Sequence, residues 1–364
     1  LRGDSIKKIC FVHGGGYNAF KDKSVGGTQL QLYFISTALA ENEEYEVQFI
    51  TKTEDCEKLE GVELVPGIGK TNNFINKLHT GLKLTFSLIQ ADADIYFSSN
   101  SNIDVFLIGL ICFMKNKKHF HRTVHERQVN KTWLKQEPPK GILNHIGMRQ
   151  ADTIFTQSRD HYEKLSDWFD PDLEMLPNSF PLNTRGRADG DYILWVGRRV
   201  KWKRPDLVLD LAEEFDSEDF VVISPKKSGN RKFYHRIEER ASRINNVELI
   251  ERVPRDQIQK YFDCAKIFIN TSEAEGFPNT FIEAGKGSTP ILSYKVDPDS
   301  FIELKKCGFS CNGDYRDLKS KLKLMLREKE ERVNRGKNCR EYVEENHDIS
   351  KNISIIEKRI EIVE

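Results

Sequence analysis

The strongest chemical signal in the chain is a pair of carboxylates eight residues apart, Glu275 and Glu283, in Glu275-Gly-Phe-Pro-Asn-Thr-Phe-Ile-Glu283. An ionised carboxylate only accepts hydrogen bonds, so two of them facing one ligand select a ligand rich in hydroxyl donors. Between them lie Gly276, Phe277, Pro278, Asn279 and Thr280. Proline is tolerated at the first turn of a helix, and a helix starting there leaves its first backbone amides without intrahelical partners. Such amides attract anions. The run before the segment, Lys266 to Asn270, reads as a buried strand of a parallel sheet, and Asn279 to Lys286 reads as the start of a helix. Glu275 then lies in the loop and Glu283 about a turn into the helix. An anion flanked by two hydroxyl-bearing groups describes a nucleoside-diphosphate sugar.

A second constellation is cationic. Arg198-Arg-Val-Lys-Trp-Lys-Arg204 follows the apolar run Tyr192 to Val196. It is either a basic solvated or nucleic-acid patch, or a set of fixed cations at the end of a strand. The strand-then-loop placement favours the second reading, in which Arg198 and Lys203 stabilise charge building up on a leaving diphosphate. Arg199, Lys201 and Arg204 are expected to be accessory or solvent-facing. His125 ends a strand in Thr123-Val-His-Glu126, and Gly26 and Gly27 precede a helix, where glycine lets backbone amides approach a ligand.

Together these segments resemble the retaining, GT-B-fold glycosyltransferases of family four. Glu275 to Glu283 resembles that family's Glu-x7-Glu signature, and Trp195 to Pro205 its Gly-Arg-x4-Lys segment, with Arg198 and Lys203 at the matching positions. Val25-Gly-Gly27 resembles the N-terminal Gly-Gly loop, Thr123 to Glu126 the strand-end histidine segment, and Leu176-Pro-Asn178 the approach to the linker. The resemblance implies that Glu275 binds hydroxyls of the donor sugar and Glu283 those of the ribose. The backbone from Phe277 to Thr280 would hold the diphosphate, and His125 would lie on the reacting face. It also implies transfer with retention by a front-face route and closure of the domains around the donor.

The elements that must position these residues alternate between strand and helix. Strands at Ile6–His13, Tyr45–Thr51, Asp94–Ser98, Phe120–Val124, Thr153–Thr156 and Leu173–Leu176, with helices such as Thr28–Asn42, Asn72–Gln90, Ile103–Met114 and Ile142–Gln150, predict a doubly wound parallel sheet. A polar, glycine-containing linker follows at Asn183–Asp191. A second series runs through Tyr192–Val196, Phe220–Ser224, Val247–Ile250, Lys266–Asn270, Thr289–Leu292 and Phe309–Cys311, ending in one long charged helix from Tyr315 to Asn346. The expected fold is α/β, with two Rossmann-like domains facing a cleft: residues 1–182 on the acceptor side, 183–346 binding the nucleotide sugar, and a helix over 347–364 that the resemblance returns to the first domain. Base contacts are expected near Ser224 and Glu251 to Val253.

Composition narrows the function. The chain of 364 residues is long enough for two cores, and 56 basic residues balance 56 acidic ones, so no overall field draws the protein to nucleic acid. Seven cysteines, an odd number, fit reduced thiols of a cytoplasmic protein, and Cys307-x3-Cys311 lacks the second pair a zinc site needs. No signal-peptide pattern is visible, and no apolar run approaches the roughly 20 residues that span a bilayer. Asp104 to Met114 with Lys115-Asn-Lys-Lys-His119 is either a membrane-surface element or a buried crossover helix, and its place between two strands favours the latter; Asn76 to Gln90 could line an acceptor or lipid surface.

Three other patterns are set aside. His13-Gly-Gly-Gly16 lacks the Gly-x-Ser-x-Gly elbow of a serine hydrolase. As a dinucleotide fingerprint it lacks an acidic residue closing the next strand, where Phe49-Ile-Thr-Lys52 stands. Asp92-Ala-Asp94 precedes its strand, the wrong end for a metal at the carboxyl edge, and Asp297-Pro-Asp299 is proline-constrained. The expectation is a glycosyltransferase without cofactor or catalytic metal, using a UDP- or GDP-sugar as co-substrate. The acceptor would be a glycan, a lipid-linked group or a small molecule, with peripheral contact on the inner face of a membrane kept open. The competing readings are a GT-B-fold epimerase or phosphorylase-like enzyme and a silent nucleotide-sugar binder.

Overall fold

The apolar runs become strands buried on both faces, which is how parallel sheets sit in α/β proteins. In a computed structural model, residues 6–21, 26–53, 55–67, 74–124, 126–130, 132–169, 172–182, 186–187, 189–225 and 231–363 are described. His125, Val25, the start of the Asn72–Gln90 helix and part of the Asn183–Asp191 linker lie outside them.

The first half of the chain runs β1 (Lys7–Val12), α1 (Gly16–Phe20), α2 (Gly27–Ala40), β2 (Tyr45–Thr51), β3 (Glu57–Leu59), β4 (Val62–Pro66), α3 (Phe74–Ala91) and β5 (Ile95–Ser98). It continues through α4 (Asp104–Lys115), β6 (Lys118–Arg122), α5 (Glu126–Val129), α6 (Thr132–Gln136), α7 (Pro138–Arg149), β7 (Thr153–Thr156), α8 (Arg159–Ser166) and β8 (Asp172–Met175). The eight strands form one sheet in the order β3-β4-β2-β1-β5-β6-β7-β8, parallel except for β3. Phe49, Phe11 and Phe97 fall on the same level of three neighbouring strands, and Phe155 stacks on Phe97 at 5.7 Å. The register is thereby pinned by large side chains that a slip would turn to the opposite face.

The β3–β4 hairpin was not anticipated. Glu60 and Gly61 both adopt positive φ, at 48° and 80°, the signature of a two-residue type I′ turn. The helix layer shows a second tight feature. A Cβ on Gly147 of α7 would lie 2.5 Å from the Phe106 amide nitrogen of α4, so the two helices cross at backbone contact that only glycine permits.

The second half runs β9 (Tyr192–Val196), a 3₁₀ turn at Lys201–Lys203, α9 (Pro205–Glu214), β10 (Phe220–Ile223), α10 (Arg231–Ala241), β11 (Val247–Ile250), α11 (Arg255–Asp263) and β12 (Ala265–Asn270). There follow α12 (Asn279–Lys286), β13 (Ile291–Ser293), α13 (Phe301–Leu304), β14 (Gly308–Ser310), α14 (Tyr315–Arg327), α15 (Lys329–Asn346) and α16 (Ile349–Ile362). Its six strands are all parallel, in the order β11-β10-β9-β12-β13-β14. That is the doubly wound 3-2-1-4-5-6 sequence, whose order reverses between β9 and β12.

The single long helix expected over Tyr315–Asn346 is two helices. The backbone leaves helical geometry at Glu328, and the buried Arg332 donates through Nη1 to the Met325 carbonyl at 2.7 Å while Nη2 reaches Asp189 at 2.8 Å. A guanidinium on the last carbonyls of α14 satisfies what a broken helix leaves open.

Residues 1–181 and 348–364 make one compact unit and residues 182–347 another. Asp348 caps α16 by accepting from the Ser350 amide at 3.0 Å, and Asn352 donates to Ser179 Oγ at 2.8 Å. Arg359 pairs with Asp172 and Glu174, all within the first unit.

Beneath the carboxyl edge of the first sheet lies a buried polar network, in which His119 Nδ1 has no partner among the described residues. Ser98 Oγ is 2.9 Å from His119 Nε2 and 2.8 Å from His121 Nδ1. Gln128 donates through Nε2 to His121 Nε2 at 3.2 Å and accepts the Val124 amide at 2.9 Å. His121 therefore carries its proton on Nδ1 and donates to Ser98, which in turn donates to His119. Both rings are neutral, and burial pulls both below the ordinary histidine value, His119 to about 3. Because the unfolded state takes up these protons first, stability declines as pH drops below the ordinary value near 6.5 and continues to decline toward the folded values. The expected slope is at most about 1.4 kcal/mol per pH unit for each histidine. Urea unfolding from pH 7.5 to 5 should show this loss, and His121→Gln should flatten it; an unchanged slope in that variant would refute the assignment.

Candidate functional site

The site grows from the switch point of the second sheet. β9 and β12 are neighbours there, and the loops that leave their carboxyl ends carry the two sequence constellations. Four hydrogen bonds stitch this region. The Trp195 indole donates to Thr271 Oγ1 at 2.8 Å, and the Thr271 hydroxyl donates to the Lys203 carbonyl at 2.7 Å. The Glu273 amide donates to the Trp202 carbonyl at 2.8 Å, and the Ser272 amide to Asn270 Oδ1 at 3.0 Å. Arg204 takes the left-handed backbone (φ 48°) that turns the chain into α9, and its guanidinium holds Asp206 and, at 3.4 Å, Glu273.

Across this frame Lys203 Nζ and Glu275 Oε2 form a close ion pair, with both side chains largely buried. Asn270 donates from Nδ2 to the other carboxylate oxygen of Glu275 at 3.2 Å. Burial pulls the Lys203 ammonium below its ordinary value, Glu275 opposes that and Arg198 adds to it. Trp202 offers its face to both cations, with Lys203 Nζ 4.7 Å and the Arg198 guanidinium 5.7 Å from the ring centre. The Arg198 side chain is exposed and makes no hydrogen bond or ion pair with any described residue.

Glu283 lies in the second turn of α12, which opens behind Pro278 without a side-chain cap. Its carboxylate accepts no hydrogen bond from the described residues. Burial pushes it up to about 7, with Lys286 opposing only in part. Carboxylates kept desolvated and unpaired concentrate at functional sites. Phe277 is buried against Phe301 and His347, with ring centres at 5.3 and 4.6 Å, so its side chain anchors the loop and leaves only its backbone for a ligand. Gly276, Asn279 and Thr280 are half-buried.

Other expectations change. Arg199 is not solvent-facing. It is buried at 2% exposure, donates from Nη2 to the Ser224 carbonyl at 2.9 Å and lies 5.4 Å from the Tyr234 ring. Arg204 is likewise half-buried and paired. Ser224 is fully buried, and its hydroxyl donates to the Gly197 carbonyl at 3.0 Å, so it supports the loop from beneath; Glu251 and Arg252 are exposed after β11. In the first unit, Gly26 and Gly27 are exposed at the start of α2, where the Gly26 amide donates to Gln29 Oε1 at 2.5 Å. Asp92 and Asp94 lie at the amino edge of β5, paired with Lys117, and Asp297 accepts the Ile302 amide at 2.9 Å. Among the described residues, only Glu126, Asp160 and His161 lie close enough together to share an ion, and Lys164 already bridges the two carboxylates at 2.7 Å from each. Sequence reasoning missed Asn270 and Trp202. A polar residue closing an apolar strand, and an aromatic between two cations, were the available signals.

Residues 183–342 match the family model described as Glycosyl transferases group 1. Among curated proteins no sequence matches the chain. The structure is similar to a sucrose-phosphate synthase from Thermosynechococcus elongatus (TM-score 0.78, 15% identity, 98% of this chain and 99% of that one). It is similar also to Alr3699/HepE from Anabaena, solved with UDP and glucose (TM-score 0.77, 13% identity, 98% and 99%). A third is WaaG, a glycosyltransferase involved in lipopolysaccharide biosynthesis (TM-score 0.69, 15% identity, 97% and 99%). The fold is α/β with two Rossmann-like domains, that of the GT-B glycosyltransferase structures.

Two outcomes follow from the electrostatics. Lys203→Met or Glu275→Gln alone leaves a buried partner unpaired and should cost about 3 kcal/mol in urea unfolding, whereas the double variant should recover part of it. Strict additivity would show the pair to be uncoupled. Glu283→Gln should stabilise the free protein at pH 8 by up to about 3 kcal/mol, since a raised carboxyl is penalised when ionised. The gain should shrink as pH falls through 7 toward 4.5; no gain at pH 8 would contradict the burial argument.

Proposed function

We propose that the protein is a retaining glycosyltransferase of family four that moves a sugar from a nucleoside-diphosphate donor to a hydroxyl acceptor, without a catalytic metal. The observation that carries this reading is the buried Lys203–Glu275 pair, with Arg198 over the same Trp202 ring as Lys203, in the loops beside α12, whose second turn carries Glu283. In it Glu275 receives hydroxyls of the donor sugar and Glu283 the ribose hydroxyls, each hydroxyl donating to the carboxylate. The backbone of Gly276 to Thr280 faces the diphosphate at the positive end of the helix. Arg198 and Lys203 neutralise charge that grows on the leaving diphosphate. In the first unit the reading assigns Gly26 and Gly27 to the donor phosphates and His125 to the reacting face.

Retention without a protein nucleophile fits a front-face route. The acceptor oxygen bonds to the anomeric carbon on the side from which the diphosphate leaves, and a donor phosphate oxygen takes the acceptor proton. HepE was solved with UDP and glucose, and a pneumococcal O-GlcNAc transferase, GtfA, with UDP and GlcNAc, which supports uridine diphosphate as the first donor nucleotide to test.

A panel of UDP- and GDP-sugars, read by thermal shift and donor hydrolysis with and without acceptors, tests the reading. Arg198→Ala is the sharpest variant, because an exposed, unpaired side chain can be removed without loss of fold. It should lower turnover by roughly 10²–10³. Wild-type turnover in Arg198→Ala and Glu275→Ala would overturn the site. Release of an epimer without acceptor would mark an epimerase, and donor binding without any turnover a silent binder.

A further inference from the structure

The two cations assigned to the leaving diphosphate are held very differently. Lys203 is paired with Glu275, whereas the Arg198 side chain is exposed, without a hydrogen bond or ion pair to any described residue. A long exposed side chain spreads over many rotamers, and a charge that must meet a phosphate in one place loses effect by being mobile. The two cations also oppose each other, since the Arg198 charge helps to pull the Lys203 ammonium down. Keeping them side by side in the free protein calls for a third group that attracts both.

Trp202 is placed to be that group. It lies in the 3₁₀ turn Lys201–Lys203, and its backbone is fixed from both sides. The Lys203 amide donates to the Val200 carbonyl and the Arg204 amide to the Lys201 carbonyl, each at 3.0 Å, while the Trp202 carbonyl accepts the Glu273 amide at 2.8 Å. An indole has only two side-chain torsions, so a fixed backbone leaves the ring little freedom. The Lys203 ammonium and the Arg198 guanidinium lie 4.7 and 5.7 Å from the ring centre, within reach of cation–π attraction, for which indole is the best of the aromatic side chains. Packing does not account for the residue. The ring is 38% exposed and stands outside the core cluster of the second sheet, and Leu304 is the other exposed large apolar side chain among the described residues of the second unit. A solvent-facing turn between two lysines would hold a polar residue equally well. We propose that Trp202 is a positioning residue whose ring holds the Arg198 guanidinium beside the Lys203 ammonium, so that both meet the diphosphate in one fixed arrangement. The proposal rests on the donor-site reading above and adds to it the residue that acts through its two cations.

Two measurements on the full chain test this. The first needs no ligand: NMR of isotope-labelled arginine, with the Arg198 Nε signal assigned by its loss in Arg198→Ala. The side-chain heteronuclear NOE should report an ordered Arg198 in the wild type and a mobile one in Trp202→Leu, which keeps an apolar side chain and removes the π face. The second is turnover of the nucleoside-diphosphate sugar that the wild type uses. Trp202→Leu should lower kcat about tenfold with KM little changed, and Trp202→Phe should return it to within about threefold of wild type. In an Arg198→Ala background the same Trp202→Leu change should cost no more than about twofold further. Urea midpoints of both Trp202 variants should stay at the wild-type value, which separates positioning from a structural role. An Arg198 side chain as mobile in the wild type as in Trp202→Leu overturns the inference whatever the turnover, and so do losses that multiply in full in the double variant. If Arg198 loses order in Trp202→Leu but no nucleotide sugar is turned over, the hold of the ring on Arg198 stands and the transferase reading falls.

Discussion

The buried Lys203–Glu275 pair sets the terms for everything around it. Taking two charges out of water costs several kcal/mol, and their attraction offsets this only if both are held in good geometry with their remaining hydrogen-bonding positions filled. The fold meets that requirement by strand order. Because β9 and β12 are adjacent where the order reverses, a lysine seven residues beyond one strand and a glutamate five beyond the other arrive at the same point. Thr271 and Trp195 tie the strand ends, Asn270 fills the second oxygen of Glu275, and Trp202 lies beneath the ammonium. Each of these residues reads as a support for the pair. Trp195 at the same time fills the core of the second sheet.

Glu283 is the opposite case. Burial raises its carboxyl, and Lys286 offsets this only in part. An uncapped helix start with a desolvated carboxylate one turn further on is a poor choice for stability alone. Evolved proteins keep such conflicts where a ligand resolves them. Hydroxyl groups donated to Glu283 would favour the ionised form and lower its pKa, so ligand binding and proton release are coupled at this position. On the proposed reading the paired and the unpaired carboxylate have different duties: one is preorganised in the free protein, the other meets its hydroxyl donors only in the ligand.

Much of this was legible in the sequence because the informative features are local. The frame from Glu275 to Glu283 contains its own strand end, loop and helix start, and the alternation of apolar runs and helical periods announces two doubly wound sheets. What could not be read depended on burial by distant segments. Arg199 and Arg198 are adjacent and chemically identical, yet one is sealed over Ser224 and Tyr234 and the other is exposed over the Trp202 ring, a difference set by distant segments. The break at Glu328 is invisible locally, since the residue that makes it affordable, Arg332, earns its place through Asp189 more than a hundred residues earlier. The β3–β4 hairpin did carry a local signal, Glu60-Gly61 between short alternating runs, which its brevity obscured.

The same logic explains why the receiver of the sugar is harder to infer than the donor. On the proposed reading, the ligand-facing groups of the second unit stand in one recognisable local frame. In the first, the polar residues near the carboxyl edge of the sheet are engaged internally: Ser98 bridges His119 and His121, and Gln128 binds the Val124 amide and the Asn100 carbonyl. That network fixes where the loops after β5 and β6 begin while leaving their outward side chains unconstrained. A rigid base under variable loops lets acceptor specificity change without disturbing the sheet. On the proposed reading, the donor half must hold one chemical pattern, a diphosphate between two sets of hydroxyls, and its motif is correspondingly strict. The acceptor half has no such common pattern to hold, so what is legible there is the support, and its chemistry is in residues whose types alone do not reveal their target.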